Sequence, residues 1–250
     1  MSHATLILLR HGQSEWNRVG RFTGWTDIDL SAGGMEESRQ AAQLLRQGGY
    51  AFDRCHSSVL RRSLVTAEII LKELGCENVG IERSWRLNER HYGALQGLGP
   101  LSATLRYGLR IRRTQSDYRC QPPPLREGDP RFPGLDPLYS DLSPEELPRT
   151  ESLEDTFRRM LPYWEQTIVP ELAAGRSVLV VSHKNVLRGM RKLLENIADD
   201  DVRDIKMPTC VPWIYRFDTN MRVLESIRLK RKASAGSPRP AIQEEKERDR

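Results

Sequence analysis

The chain has 250 residues, 38% of them hydrophobic, enough for one sizeable α/β domain with its own core. Its formal charge is +5, but the stretch 228–250 alone carries eight Lys/Arg against four Asp/Glu, so the body is nearly neutral and a nucleic-acid-binding face is excluded. The four cysteines, Cys55, Cys76, Cys120 and Cys210, have no metal-ligand or disulfide-framework spacing. The longest apolar runs are too short to span a bilayer or form a signal core, so a cytoplasmic protein without membrane partners is expected.

Thr5 to Leu9 is an apolar run of strand length that stops at Arg10-His11-Gly12. The stretch from Phe22 to Leu30 reads as an irregular loop. Ser31 resembles a helix N-cap, followed by a helix carrying Ala41, Leu44 and Leu45 and ending at Gly48-Gly49. Phe52–Ser58 reads as a strand, and a helical pattern through Leu64, Ala67, Ile70, Leu71 and Leu74 stops at Gly75. Val79–Glu82 reads as a third strand, and Leu101–Arg113 as one helix. Pro122-Pro123-Pro124 opens a long irregular insertion reaching Pro148, of the kind that covers something.

Ser152 with Asp155 forms a capping-box pattern ahead of an amphipathic helix through Leu153, Phe157, Met160, Leu161, Trp164 and Ile168, with a kink expected at Pro162. Ser177–Ser182 is a second apolar strand that finishes at a histidine, His183. A helix follows from Asn185, and Val211–Phe217 with Val223–Ile227 reads as a hairpin around Asp218-Thr219-Asn220. The alternation of strands and helices predicts an α/β three-layer sandwich with a mainly parallel central sheet over residues 1–229. The charged segment 230–250 has almost nothing apolar and is expected to lack order of its own.

Strand ends in open α/β sheets are where ligand-binding groups gather. There Arg10 offers a planar fork for an oxyanion and His11 a nucleophilic nitrogen, a pairing suited to phosphate chemistry. Competing readings stand beside each candidate. Glu89 could be a loop carboxylate paired with Arg86 or Arg90, Arg62 part of a solvated helix face shared with Arg61, and His183 a satisfied strand-end histidine.

Leu9-Arg10-His11-Gly12-Gln13-Ser14-Glu15-Trp16-Asn17, Phe22-Thr23-Gly24-Trp25, Trp85 through Gly93 and Leu95-Gln96-Gly97-Leu98 together resemble the bisphosphoglycerate-dependent phosphoglycerate mutases of the histidine phosphatase superfamily. Thr150-Glu151-Ser152-Leu153 and Leu161-Pro162-Tyr163-Trp164 extend the similarity, which covers about Thr5 to Ile227. The resemblance implies that fold and a glycolytic and gluconeogenic isomerase. It would interconvert 3-phosphoglycerate and 2-phosphoglycerate through a phosphohistidine at His11, primed by 2,3-bisphosphoglycerate and without a metal.

Arg10, Arg62 and His183 would then surround the transferring phosphoryl group, and Glu89 would exchange a proton with the substrate hydroxyl. Ser14, Asn17, Thr23, Gly24, Arg90, His91, Tyr92, Lys184 and Asn185 would form the outer substrate shell. For His91, packing competes with that role. A homodimer or homotetramer is common in the similar family.

Three departures fall in this outer shell. Lys184 stands where the family has glycine, and Pro100 where it has lysine or arginine. Ser116-Asp117 stand where it has paired arginines; Arg112 and Arg113, one helical turn earlier, are candidates to reach the same ligand. An altered anion clamp raises the alternative of a phosphohistidine-dependent phosphatase acting on another phosphomonoester, and more remotely a weakly active binding protein.

Overall fold

The structure, a computed structural model, describes residues 3–231 and 242–246. Strands β1 (Ala4–Arg10), β2 (Arg54–Ser57), β3 (Glu82–Arg83), β4 (Ser177–Ser182), β5 (Trp213–Phe217), β6 (Val223–Arg231) and β7 (Ile242–Lys246) form one sheet in the order β3-β2-β4-β1-β5-β6-β7. The first four of that order run parallel; β5, β6 and β7 add antiparallel pairings, so the sheet as a whole is mixed. β5 and β6 can be antiparallel because the tight turn at Asp218 joins them directly, its Oδ1 accepting from the Asn220 and Arg222 amides.

The helices are α1 (Glu15–Arg18), α2 (Ala32–Gln47), α3 (Arg61–Leu74), α4 (Pro100–Tyr107), α5 (Ile111–Ser116), α6 (Leu153–Tyr163), α7 (Val169–Ala173) and α8 (Lys184–Glu195). β1 and β4 lie at the centre and are apolar on both faces. Leu6, Leu8, Val178 and Val180 pack into a core with α6, α7 and α8. Ile7, Leu9, Leu179 and Val181 join residues of α2 and α3 in a second core. That two-sided burial is why these strands read as continuous apolar runs.

Most boundaries follow their caps. Ser31 Oγ accepts from the Gly34 amide at 3.0 Å, Gly75 closes α3 at φ 69°, and Ser152 with Asp155 makes a complete capping box. Two expected element bounds are corrected. The third strand does not begin at Val79: a 3-10 turn over Glu77–Val79 ends at Gly80, whose φ of 69° delays the strand to Glu82. The single helix expected over Leu101–Arg113 is two helices, divided at Gly108 with φ 76°.

The helix after Ser152 continues through Pro162 and is followed by one π turn over Trp164–Ile168, ahead of Pro170 in the first turn of α7. α1 is too short for any periodic signal and is held by reciprocal bonds between Ser14 and Asn17, both 3.2 Å.

Of the charged terminal segment, Lys230 and Arg231 complete β6 and Ile242–Lys246 pair with it. Backbone pairing needs no apolar side chains, which is why composition gave no sign of it; the rest of that segment lies outside the described residues. No helix among the described residues is long and apolar enough to cross a membrane.

Candidate active site

Parallel neighbours end on the same edge of a sheet. Arg10 of β1 is in register with Ser182 of β4, and Val181 with Ser57 of β2. The next residues along those chains, His11, His183 and Ser58, therefore emerge side by side, and α3 begins three residues beyond Ser58 to deliver Arg62. The His11 and His183 ring centroids are 4.9 Å apart.

His11 is 2% exposed and its Nδ1 lies 2.7 Å from the Gly12 carbonyl. A carbonyl only accepts, so Nδ1 carries the proton and the Nε2 lone pair is free. Burial first, and then the Arg62 and Arg10 charges, hold the His11 pKa well below the usual histidine value. The cations noted in the sequence thus act second to desolvation. His183 is held down for the same leading reason. Its Nε2 is 2.7 Å from Ser58 Oγ, and its Nδ1 is buried without a partner among the described residues. Arg10 donates from Nη1 to the Met207 carbonyl at 2.9 Å, while its buried Nε is likewise unpaired. Two orphaned polar atoms beside the neutral His11 ring mark a place where a polar ligand would be satisfied.

Arg62 is fully buried, unlike its neighbour Arg61, which is exposed and paired with Asp29. It donates to the Thr26 carbonyl at 3.0 Å and the Gly24 carbonyl at 2.7 Å, and burial lowers its pKa to about 10. Glu89 is no surface carboxylate: it is 7% exposed, and Arg86 pairs with Glu146 instead. Glu89 Oε1 accepts from the Arg90 amide at 2.8 Å and the Asn185 amide at 3.3 Å.

The outer shell is brought together in part. Tyr92, Asn185 and Lys184 line a cleft with Arg90, and Asn185 Nδ2 donates to Tyr92 Oη at 2.9 Å. Arg90 spends its guanidinium on the carbonyls of Glu151, Thr114 and Cys120. Ser14 and Thr23 are buried in the first loops; Ser14 and Asn17 cap one another, and Gly24 adopts φ 59° against Gln96.

His91 belongs to the packing alternative. Its Nδ1 accepts from the Gly93 amide at 3.1 Å, its ring is 5.7 Å from that of Trp25, and burial lowers its pKa to about 3. Arg112 and Arg113 are exposed on α5 and do not line the cleft; Arg113 reaches Asp117 at 3.5 Å. The break at Gly108 turns α5 and carries them outward.

Sequence reasoning missed Ser58, Arg188, Arg203 and the Arg159–Glu151 pair. Arg188 lies one turn beyond Lys184 on α8, a spacing that would have placed it on the cleft. Ser58 had no local signal, since its partner is 125 residues away. Arg159 binds Glu151 at 2.6 Å and donates to the carbonyls of Arg86, Asn88 and Glu89, fixing the segment that carries Glu89.

The insertion lies across this region, with Tyr139 Oη accepting from Asn88 at 3.0 Å and its ring 5.0 Å from that of Trp25. Among the described residues, His56, Glu82 and Glu171 are grouped closely enough to share a metal ion. Glu171 is already compensated by Arg54 at 3.3 Å and bonded to His56 Nε2 at 2.7 Å, which explains the group without a cation.

His11 thus sits at a strand end, buried and neutral, with Arg10, Arg62 and His183 around it. The model of the histidine phosphatase superfamily (branch 1) matches residues 6–131 and 135–230, and the chain belongs to that superfamily. Similar solved structures include a mycobacterial glucosyl-3-phosphoglycerate phosphatase in complex with VO3, 21% identical, covering 88% of this chain and 95% of that one at a TM-score of 0.66. YhfR of Bacillus stearothermophilus is 23% identical over 88% of this chain and 94% of its own, with a TM-score of 0.66. The α-ribazole phosphatase of Shigella flexneri is 17% identical over 88% and 95%, with a TM-score of 0.64.

Proposed function

We propose that the chain is a phosphohistidine-dependent phosphatase acting on a small phosphomonoester. The observation that carries this reading is the state of His11: neutral, with Nδ1 committed to the Gly12 carbonyl and Nε2 free beside the unpaired Arg10 Nε and His183 Nδ1. Nε2 attacks phosphorus, the ester P–O bond breaks, and the phosphoryl group is held by Arg10, Arg62 and His183, whose charges and donors match its equatorial oxygens. Ser58 Oγ accepts from the Leu60 amide, so its own proton is available to His183 Nε2. In that tautomer His183 Nδ1 keeps a proton for the phosphoryl oxygen.

Both hydrogen bonds to the Glu89 side chain fall on Oε1, which leaves Oε2 to carry the proton that it gives to the departing alkoxide and then takes back from the attacking water. Water returns the phosphoryl group as inorganic phosphate and regenerates His11. The preference for hydrolysis over return to a substrate hydroxyl rests on the outer wall, where Pro100 is uncharged and Arg112 and Arg113 face away. The similar glucosyl-3-phosphoglycerate phosphatase and α-ribazole phosphatase structures support the same preference.

A phosphoglycerate mutase primed by 2,3-bisphosphoglycerate is the second reading, favoured by the buried Glu89 and by the resemblance around it. The test incubates wild type and His11→Ala with 2,3-bisphosphoglycerate and a panel of phosphomonoesters, following acid-labile phosphoryl-enzyme and product. Labelling of wild type alone with phosphate release is expected. 2-Phosphoglycerate formed from 3-phosphoglycerate without phosphate release favours the mutase, and equal labelling of His11→Ala refutes both.

A further inference from the structure

Arg112 and Arg113 have no part in the site, yet they belong to a stretch of unusual composition. From Pro100 to Gln115 there are four arginines, Arg106, Arg110, Arg112 and Arg113, and no acidic residue. The same stretch exposes Leu101 at 74%, Leu105 at 80% and Leu109 at 66%, the three most exposed large hydrophobics among the described residues.

Packing within the chain does not explain these leucines. α4 and α5 are anchored by their inner faces: Ala103 and Ile111 are buried with Leu95, and Phe22, Tyr92, Leu98 and Tyr107 pack around them. Leu101 and Leu105 are one turn apart on the side of α4 opposite Ala103, and Leu109 follows directly after the break at Gly108. None of the three lines the cleft beside the site or the apolar cleft between Trp25 and the insertion, so they belong to an outward-facing surface and not to a groove. The charges around them are short of counter-charges. Neither Arg106 nor Arg110 has an ion pair among the described residues, and Arg113 meets Asp117 at 3.5 Å with 75% of its side chain exposed, a pairing of little strength.

A second copy of the chain fits this face poorly, because a twofold contact would set an acid-free arginine cluster against itself. A protein partner would have to supply a groove shaped to protruding leucines. An anionic bilayer offers apolar depth beneath a layer of phosphates at every point of its surface, and leucines flanked by arginines match that profile.

We propose that the outer face of α4 and the start of α5 form a docking surface for an anionic lipid bilayer, with Leu101, Leu105 and Leu109 entering the acyl boundary and Arg106 and Arg110 meeting lipid phosphates. Run length, the basis for expecting no membrane partner, bears on spanning and not on surface docking. Pro100, at the head of α4, lines the cleft, so a docked bilayer lies beside the mouth of the site. The inference does not depend on which phosphate ester is hydrolysed.

The test sediments the full chain with vesicles of phosphatidylcholine, alone or mixed equally with phosphatidylglycerol, at low and at high salt. Wild type is expected to bind the mixed vesicles with a bound-to-free ratio roughly tenfold or more above that for the neutral ones, and to lose most of the excess at high salt. Leu101→Ser with Leu105→Ser, and Arg106→Gln with Arg110→Gln, should each lower the ratio by about fivefold or more. All four side chains are exposed, so the unfolding midpoint and phosphoryl labelling of His11 should stay as in wild type.

Full binding by either double variant overturns the inference, since adsorption would then proceed through another part of the chain or without the leucines. Equal binding to both vesicle types, or binding to neither, overturns it as well. A dimer seen by light scattering that the leucine variant dissociates, with no vesicle binding, overturns it in favour of a contact between copies.

Discussion

Replacing Arg159 by methionine should damage both stability and the site. Arg159 is 9% exposed and its guanidinium makes bonds of 2.6 and 3.1 Å to the two Glu151 oxygens, 2.7 Å to the Arg86 carbonyl, and 2.7 and 2.9 Å to those of Asn88 and Glu89. Glu151, 4% exposed, also accepts from the His91 amide at 2.7 Å. One ion pair thus fixes the chain on both sides of Glu89. Methionine leaves a buried carboxylate uncompensated and the Arg86 and Asn88 carbonyls without this donor, while the Glu89 carbonyl keeps the Trp25 indole N–H, a loss of about 3–5 kcal/mol.

With a urea m-value of about 2–3 kcal/mol/M, the unfolding midpoint should fall by roughly 1–2 M. Adding Glu151→Gln removes the stranded charge, so the double variant should recover part of the loss and the cycle should give a coupling above about 2 kcal/mol. Phosphoenzyme turnover, measured under conditions where the variant is folded, should slow because Glu89 is no longer held. A single-variant loss below about 1 kcal/mol, or a cycle with no coupling, would refute the argument.

Two further outcomes follow from the site's surroundings. Gly24→Ala should lower both stability and phosphoenzyme formation, because a Cβ there would lie 2.2 Å from Gln96 Oε1 at φ 59°, and Gln96 also accepts from the Trp25 amide. Thermal unfolding and labelling would check this, and wild-type behaviour in both would contradict it.

His91 is buried with its pKa lowered to about 3, so the unfolded chain binds a proton that the folded chain refuses below about pH 6.5. Stability should therefore fall as pH drops from 6.5 toward 3, by about 2 kcal/mol from this residue between pH 7 and 5. Denaturation of wild type and His91→Gln at the two pH values would measure it; an equal pH slope in both would remove His91 as the cause.

Much of the site was legible because its carriers are local. An apolar run ending in Arg10-His11-Gly12, a second ending in His183, and the block around Glu89 each announce themselves within about ten residues, as do the Ser31, Gly75 and Ser152 caps and the Asp218 turn. Burial altered the ranking of competing readings. Arg61 and Arg62 look alike in sequence, yet one pairs with Asp29 at the surface and the other is enclosed by the Thr26 and Gly24 carbonyls. His91 lies in the same block as Glu89, but its ring belongs to the wall with Trp25.

The sequence by itself determined the strand-end histidine His11, the strands that present it and the residue types near it, because strand length, capping and turn formation depend on residues close together in the chain. Only the tertiary structure decided that β1 and β4 are parallel neighbours, that Ser58 meets His183 across 125 residues, and that Lys184 and Arg188 of α8 share a cleft with Arg21, Arg90 and Arg203 while Arg112 and Arg113 do not line it. Those outcomes depend on which apolar faces close against each other and on where a glycine such as Gly108 redirects the chain. Such long-range contacts leave no periodic trace in the sequence.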